Sequence, residues 1–313
     1  MDALHIQGVD KPISRLIMGT GDLRKLEENE RLMLRAYVDA GGNAFDTAHQ
    51  YRGREKLLGE WLAEEKLRDK VVILTKGAHH DDGSPGPRVN PQAIRQDLTE
   101  SLERLGTDHV EIFALHRDDE TVAVGPIIEE LNANLEAGRL RAFGASNWTH
   151  ARIQEANEYA ASHGLTGFAF SSTNLSLAKP QEARWPGVVS ADEATIAWHA
   201  ANGMPLLSWS AQAGGFFSGH FTPENRADEE MVRVYYSEGN WERYRRAVKM
   251  AGEKGVTPIQ LALSYVLHQP FATGAIIGPR NPGELLSSVE AMNLHLTLEE
   301  VEWLDLKREA IAQ

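Results

Sequence analysis

The chain has 313 residues, of which 42% are hydrophobic and 25% charged, with a formal net charge of −13 at pH 7. This acidic balance argues against a nucleic-acid partner, because phosphate backbones are bound by clustered Lys and Arg. The chain contains no cysteine, which excludes disulfide bonds, thiolate nucleophiles and cysteine-ligated metal sites.

Eight short apolar segments with strand character recur along the chain. They are solid apolar runs rather than alternating ones, which is typical of strands buried on both faces of a parallel sheet. The predicted strands are Leu16–Met18, Ala44–Asp46, Val71–Thr75, Val110–Leu115, Ala142–Ala145, Phe168–Ser171, Leu206–Trp209 and Ala275–Ile277.

Amphipathic helical patterns separate these strands. The clearer ones are Leu26–Ala40, Arg54–Glu65, Pro91–Leu105, Gly125–Ala137, Thr149–His163 and Asp192–Ala201. The regular alternation, without a break in composition, predicts an α/β protein whose residues 1–313 form a single (β/α)₈ TIM-barrel domain. We expect the residues before Leu16 to form a short N-terminal β-hairpin that caps the bottom of the barrel.

The sequence has no apolar run of the length of a transmembrane helix and no signal-peptide pattern at its start. We therefore expect a cytoplasmic protein without a membrane partner. The sequence does not predict an oligomeric state.

Two long segments follow predicted strands, residues 77–90 and residues 214–241. Segments after strands lie on the barrel face where active sites are built. The second segment is rich in aromatic residues, which we expect to form a wall of a substrate pocket, with an ordinary surface insertion as the alternative. These aromatic residues are Phe216, Phe217, Tyr235, Tyr236 and Trp241.

Three polar residues lie at the ends of otherwise apolar strands: Asp46, Lys76 and His116. Parallel strands end on the same face, so we expect these side chains to meet at one mouth of the barrel, with Tyr51 leaning over it. Each residue alone has a plain structural explanation, such as a helix cap or a solvated lysine. Their combination is harder to explain structurally, because burying an unpaired Lys or Asp is costly.

This combination suits the reduction of an aldehyde or ketone, which needs a hydride donor and an acid. A free phenol has a pKa of ~10 and is a weak acid at neutral pH. We expect the Lys76 ammonium to lower the pKa of Tyr51, and Asp46 to keep Lys76 charged and oriented. His116 would hydrogen-bond the substrate oxygen. No metal ion is required.

These four residues and their surroundings resemble the aldo-keto reductase superfamily. The segment FDTAHQY resembles the first family signature, and LTKG and ALHRDD carry the matching Lys and His. The resemblance extends from about Leu16 to about Trp303. It implies a carbonyl reductase that uses NADPH and binds it on the barrel itself, without a Rossmann domain.

The resemblance also implies a set of cofactor-binding residues. In GRLRAFGASNW, Ser146 and Asn147 would hold the nicotinamide carboxamide. SWSAQAGGFFSG would stack on the nicotinamide and wrap the pyrophosphate, and IIGPRNPGELLSSVEAM would bind the adenosine end. The full expected set is Gly19, Thr20, Asp46, Ser146, Asn147, Ser171, Trp209, Ser210, Ala211, Gln212, Gly278, Arg280, Glu284 and Ser288.

The chain departs from the family pattern at three positions. Trp209 stands where many members have Tyr, and Ser171 and Ser172 stand where a Gln often contacts the carboxamide. Arg280 suits a 2′-phosphate, whereas Glu284 would repel one. NADPH is therefore the expected cofactor, with NADH left open.

Other interpretations of the same residues remain. His79-His80-Asp81-Asp82 lacks helical metal-ligand spacing and is interpreted as a solvated loop. Arg117 beside His116 is a candidate substrate contact. The rival functions are a non-catalytic, nucleotide-binding redox sensor and a lyase or isomerase that forms a Schiff base at Lys76. The carbonyl substrate could be sugar-derived or a small aromatic aldehyde.

Overall fold

In the computed structural model, which describes residues 1–80 and 86–311, eight parallel strands close into a barrel. The strands are β3 (Leu16–Gly19), β4 (Ala44–Asp46), β5 (Val72–Gly77), β6 (Val110–Leu115), β7 (Leu140–Ser146), β8 (Ser171–Ser172), β9 (Leu206–Ser208) and β10 (Thr273–Ile277). They pair in chain order, and β10 closes the barrel against β3. The predicted (β/α)₈ barrel is confirmed.

A two-stranded antiparallel sheet precedes the barrel, formed by β1 (Ala3–Leu4) and β2 (Ile13–Ser14). Leu4 and Ile13 belong to the same buried cluster as the inward-facing Ile17 and Val72 near the start of the barrel strands. The predicted N-terminal hairpin is confirmed, and it covers the bottom of the barrel.

Helices surround the strands. They are α1 (Glu28–Asp39), α2 (Arg54–Glu64), α3 (Pro91–Leu105), α4 (Val124–Glu136), α5 (His150–Ser162), α6 (Glu193–Asn202), α7 (Glu229–Tyr235), α8 (Glu238–Lys254), α9 (Pro258–Leu267), α10 (Pro282–Ala291) and α11 (Leu298–Leu304). Asn90 caps α3, because its side chain accepts a hydrogen bond from the amide of Ala93 at 2.9 Å. Within the two described ranges, no helix is long and apolar enough to cross a membrane.

The sixth barrel strand is shorter than predicted. Only Ser171 and Ser172 pair as β8, whereas the sequence predicts a strand from Phe168. The Phe168 ring instead packs edge-on against Phe143 and Trp148, with ring centroids 5.9 and 5.2 Å apart. Before Ser171 the apolar run still follows β7, with hydrogen bonds from the Ala169 amide to the Phe143 oxygen at 2.9 Å and from the Ala145 amide to the Phe170 oxygen at 3.3 Å, but it does not form a regular strand there.

Side-chain alternation along the strands places the polar residues at the mouth of the barrel. Ala44, Leu74 and Ala114 face the barrel interior. The residues two positions further along each strand share that face, because strand side chains repeat with period two. Those residues are Asp46, Lys76 and His116.

Gly59 in α2 sets the distance between α2 and α3. A Cβ atom added there would lie 2.4 Å from the backbone oxygen of Leu105, so Gly59→Ala should lower the free energy of unfolding by about 1–3 kcal/mol through overpacking. Gly252 in α8 is the matched control. A Cβ there meets nothing within 4 Å, so Gly252→Ala should stabilise the protein by up to ~1 kcal/mol. Urea unfolding of both variants measures this, and equal effects would contradict the assigned α2–α3 packing.

Candidate active site

The four predicted catalytic residues line one cavity, of about 1150 Å³, at the carboxyl ends of the barrel strands. Asp46 ends β4, Lys76 lies near the end of β5, and His116 directly follows β6. A short 3₁₀ helix (His49–Tyr51) after β4 carries Tyr51 to the same cavity. The strand ends thus bring together residues that are up to 70 positions apart in the sequence.

Lys76 and Asp46 form a buried ion pair at the centre of the site. The Lys76 ammonium donates a hydrogen bond to the Asp46 carboxylate and another to the backbone oxygen of Thr47 at 3.1 Å. The two side chains are only 2% and 4% exposed. Burial lowers the pKa of Lys76, but Asp46 and Tyr51 outweigh it and raise the pKa above its usual value. Lys76 is therefore a fixed positive charge at neutral pH.

The strand end that carries Asp46 is held by β3. Thr20 donates to the backbone oxygen of Asp46 through both its amide, at 2.8 Å, and its hydroxyl, at 3.0 Å. Gly19 packs closely on the neighbouring strand, since a Cβ there would lie 3.0 Å from the backbone oxygen of Ile277. Gly19 and Thr20 both line the cavity.

Tyr51 lies beside this ion pair. The Lys76 nitrogen is 5.2 Å from the centroid of the Tyr51 ring. Burial raises the pKa of Tyr51, and the opposing effect of Lys76 only partly offsets it. The net shift is therefore upward, contrary to expectation, because desolvation of the phenol outweighs the charge of Lys76. The hydroxyl stays protonated at neutral pH and available as a proton donor.

His116 is a neutral imidazole in this site. Burial first, and then the charges of Lys76 and Arg117, lower the pKa of His116 well below its usual value. Its ring is edge-on to Tyr51, with centroids 5.7 Å apart, and 4.7 Å from the ring of His79. Within the described ranges, its buried Nδ1 has no hydrogen-bond partner. A neutral imidazole carries one N–H that can donate to a substrate oxygen.

The expected cofactor-binding residues lie along this same cavity, with one exception. The residues that line it are Gly19, Thr20, Asp46, Ser146, Asn147, Trp209, Ser210, Ala211, Gln212, Gly278, Arg280, Glu284 and Ser288. Ser171 does not line it. Phe170 faces the barrel interior, so the alternation turns Ser171 outward, away from the mouth. Ser171 is therefore corrected to an outward-facing residue of β8.

Asn147 adopts a left-handed backbone conformation with φ 62°. Its side chain donates to the backbone oxygen of His116 at 3.1 Å and accepts from the amide of Val189 at 3.2 Å. It thereby joins the end of β7 to His116 and to the segment around Val189. Ser146, next to it, is also buried and receives a hydrogen bond from the Asn147 side chain.

Four residues of the segment after β9 adopt left-handed backbone conformations. Ser210, Ala213, Gly214 and Gly215 all have positive φ, between 49° and 86°. The amides of Ala213 and Gly215 are used within the turn, where they donate to the backbone oxygens of Ser210 and Gln212 at 2.8 and 2.9 Å. Trp209 begins this segment, and its buried indole nitrogen has no hydrogen-bond partner among the described residues. The residues from Trp209 to Gln212 line the cavity, so the part of the chain that the family resemblance assigns to the nicotinamide and pyrophosphate does face it.

The far end of the cavity is formed by the start of α10. There Glu284 accepts hydrogen bonds from the Arg280 amide at 2.8 Å, the Arg280 guanidinium at 3.0 Å and the Asn281 side chain at 3.1 Å. Burial raises the pKa of Glu284, but these bonds outweigh it and leave the pKa below its usual value. Ser288 donates to the backbone oxygen of Glu284. The expected basic group of this subsite is thus already paired with a carboxylate.

Phe221 of the 214–241 segment lines the cavity, whereas the five aromatic residues of this segment that were expected to do so do not. They pack against one another, with the Phe216 and Trp241 rings 4.8 Å apart and Tyr236 and Trp241 4.9 Å apart. All of them are absent from the cavity lining. Mutual packing buries more of their apolar surface than a position at the rim.

Further residues line the cavity that no sequence pattern indicated, above all Trp185 and Arg184. The Trp185 ring lies 5.8 Å from that of Trp209, and the Arg184 guanidinium contacts Glu230 at 2.6 Å. Both lie in the irregular segment between β8 and α6, which has no periodic pattern. The one sequence feature that could have indicated these residues is a tryptophan in a segment that follows a strand.

The sequence predicts a solvated loop at His79, but this residue lines the cavity. Burial lowers its pKa to about 4, so it is neutral. Asp81 and Asp82 lie outside the described residues, and their placement in a solvated loop stays a prediction. Within the described ranges, no group of His, Asp and Glu side chains is arranged to hold a metal ion.

Comparison with known proteins shows the family to which this chain belongs. The model of the aldo/keto reductase family matches residues 15–309. The aldo-keto reductase ausK of Emericella nidulans is 28% identical over 304 residues, covering 91% of this chain and 73% of that protein. Norsolorinic acid reductase stcV from the same organism is 27% identical over 293 residues, covering 90% and 72%.

A solved structure, the glycerol dehydrogenase AKR11B4 from Gluconobacter oxydans, has the same fold, with a TM-score of 0.76, 23% identity, and coverage of 97% of this chain and 94% of that one. The resemblance that the sequence motifs indicated is confirmed by the family match, which spans nearly the whole barrel. The chain belongs to the aldo/keto reductase family and is an oxidoreductase of that family.

Proposed function

We propose that this protein reduces an aldehyde or ketone to an alcohol, with NADPH as the hydride source and NADH accepted as an alternative. The observation that carries the proposal is the placement of Tyr51, the Lys76–Asp46 ion pair and the neutral His116 around one cavity. This cavity continues past Trp209 to the start of α10, which leaves room for an extended dinucleotide.

The bound nicotinamide would supply a hydride to the carbonyl carbon. Tyr51 donates its phenolic proton to the carbonyl oxygen as the C=O π electrons move onto that oxygen. The Lys76 ammonium stabilises the phenolate that remains, and Asp46 balances the charge of Lys76. His116 orients the carbonyl by donating an N–H to its oxygen. Solvent returns the proton to Tyr51 after the alcohol leaves.

A Schiff-base mechanism at Lys76 is disfavoured by the same ion pair. Schiff-base lysines need a neutral amine, which a lowered pKa provides. Asp46 and Tyr51 do the opposite and raise the pKa of Lys76. Borohydride in the presence of substrate should therefore leave the mass of the protein unchanged, whereas a trapped adduct would support the lyase or isomerase alternative.

Tyr51→Phe separates a reductase from a nucleotide-binding sensor. Wild-type protein should oxidise NADPH in step with formation of 4-nitrobenzyl alcohol from 4-nitrobenzaldehyde. The variant should lose roughly 10²-fold or more in turnover, because the positioned acid is absent. Its affinity for NADPH, measured by quenching of tryptophan fluorescence, should stay within about threefold. Turnover close to wild type would exclude Tyr51 as the acid, and inactive wild-type protein would favour the sensor.

Arg280 and Glu284 should together set the choice of nucleotide. A 2′-phosphate gains a charge-assisted bond from Arg280, but it must displace or tolerate the Glu284 carboxylate. A 2′-hydroxyl can instead donate to that carboxylate. The expected result is a modest preference for NADPH, with NADH also bound.

Two variants test this assignment. Glu284→Gln should strengthen NADPH binding about fivefold, because repulsion worth about 1 kcal/mol at an exposed site is removed. Arg280→Ala should weaken NADPH binding about tenfold or more and NADH binding less than about threefold. Isothermal titration calorimetry with both nucleotides measures these affinities. Equal changes for NADPH and NADH would mean that neither residue contacts the 2′ position.

A further inference from the structure

Four Lys and Arg side chains line the cavity in the part of the chain that the structure describes: Lys76, Arg117, Arg184 and Arg280. Three of them are paired with carboxylates. Lys76 pairs with Asp46, Arg184 with Glu230 at 2.6 Å, and Arg280 with Glu284 at 3.0 Å. Arg117 has no carboxylate partner within residues 1–80 and 86–311, so it differs from the other three.

Arg117 is also poorly satisfied by hydrogen bonds. Its Nη1 donates to the backbone oxygen of His116 at 2.9 Å. Its Nε is buried without a partner among the described residues, and its Nη2 makes no hydrogen bond to them. Guanidinium groups remain charged in proteins, and a partly buried cation with open donors is costly to maintain. Such a group is expected where a ligand supplies the missing acceptor.

The neighbouring acidic residue does not supply it. Asp118 faces Arg152, with its Oδ2 3.5 Å from the Arg152 Nε. Burial raises the pKa of Asp118 to about 6, against the opposing charge of Arg152. The nearby histidines His79 and His116 carry no charge at neutral pH, since burial lowers the pKa of each. The local charge around Arg117 is therefore positive and uncompensated.

The local backbone holds Arg117 in the cavity. The indole nitrogen of Trp148 donates to its backbone oxygen at 2.9 Å. Its side chain lies against Gly187, where a Cβ would be 3.4 Å from the Arg117 Cδ. Arg117 lines the same cavity as Tyr51 and His116, and its charge acts on the Tyr51 phenol and on the His116 imidazole, which places its guanidinium near the proposed proton donor.

We infer that Arg117 binds a carboxylate carried by the carbonyl substrate, so that this reductase acts preferentially on aldehydes or ketones that bear a carboxylate. The inference rests on the proposed carbonyl reduction and specifies its substrate class. A carboxylate matches the planar guanidinium and can accept two parallel hydrogen bonds from it. A single uncompensated cation suits a monoanion better than a phosphate dianion.

The test uses two substrates of similar shape and different charge, 4-carboxybenzaldehyde and its neutral methyl ester, methyl 4-formylbenzoate. Wild-type protein should reduce the acid with the higher kcat/KM. Arg117→Met should lower kcat/KM for the acid by about 30-fold, the size of a lost charge-assisted contact. The value for the ester should change less than about threefold. Arg117→Lys should restore part of the preference for the acid, because it keeps the charge without the planar fork.

A control variant and a binding measurement separate this role from others. Arg184→Met removes a cavity-lining arginine that is already paired, so the ratio of acid to ester should stay within about threefold of wild type, whatever the overall rate. Binding of 4-(hydroxymethyl)benzoate to the nucleotide-free protein, followed by tryptophan fluorescence, should weaken in Arg117→Met. If both substrates lose activity equally in Arg117→Met, the residue acts on Tyr51 or on folding and the inference fails. If wild type reduces neither substrate, the proposed function fails instead.

Discussion

The site depends on one buried ion pair, between the Lys76 ammonium and the Asp46 carboxylate. Both groups are almost completely removed from water, and neither would be stable there alone. Each supplies the charge that the other needs, and together they place a permanent positive charge beside the Tyr51 phenol. The barrel makes this possible because β4 and β5 are neighbours. Asp46 pairs with Leu74, and Lys76 lies on the same inward face two residues further along β5.

In the other parts of the cavity, too, the charge of each group depends on its burial and on the charged groups beside it. His116 is kept neutral by burial and by the adjacent cations, so it can donate a hydrogen bond without adding charge. At the α10 end, Glu284 partly neutralises the arginine that would contact a nucleotide. Near His116, Arg117 is left without a counter-ion. The two ends of the cavity therefore differ in charge. At the α10 end Arg280 is paired with Glu284, whereas near His116 the charge of Arg117 is not balanced by a carboxylate of the described residues.

The barrel and the meeting of Asp46, Lys76 and His116 at one mouth could be predicted from the sequence because their signals are local. Solid apolar runs identified the strands, and the polar residues that end them had to meet at one mouth. Ser171 shows where this reasoning failed. The sequence did not show which residues of the sixth strand point into the barrel, and Ser171 points outward. The aromatic residues near Trp241 show a second limit. Their packing partners are one another, and no sequence pattern distinguishes such a cluster from a pocket wall.

Long-range electrostatics was the third limit. The sequence shows that Lys76 is near Tyr51, and it predicts the direction of that single interaction correctly. It does not show how deeply the phenol is buried, and this burial reverses the net shift of its pKa. Likewise, the pairing of Arg184 with Glu230, 46 positions away, could not be inferred without coordinates. The isolation of Arg117 becomes visible only once the partners of the other cations are known.

The central claim is that Asp46 and Lys76 stabilise each other in the folded protein. A double-mutant cycle of unfolding free energies, with Asp46→Asn, Lys76→Met and the double variant, tests it most directly. Each single variant should lose about 3–5 kcal/mol, because it leaves an uncompensated buried charge. The double variant should be more stable than either single one. Additive losses would show that the two groups do not interact, and the account of the site would be contradicted.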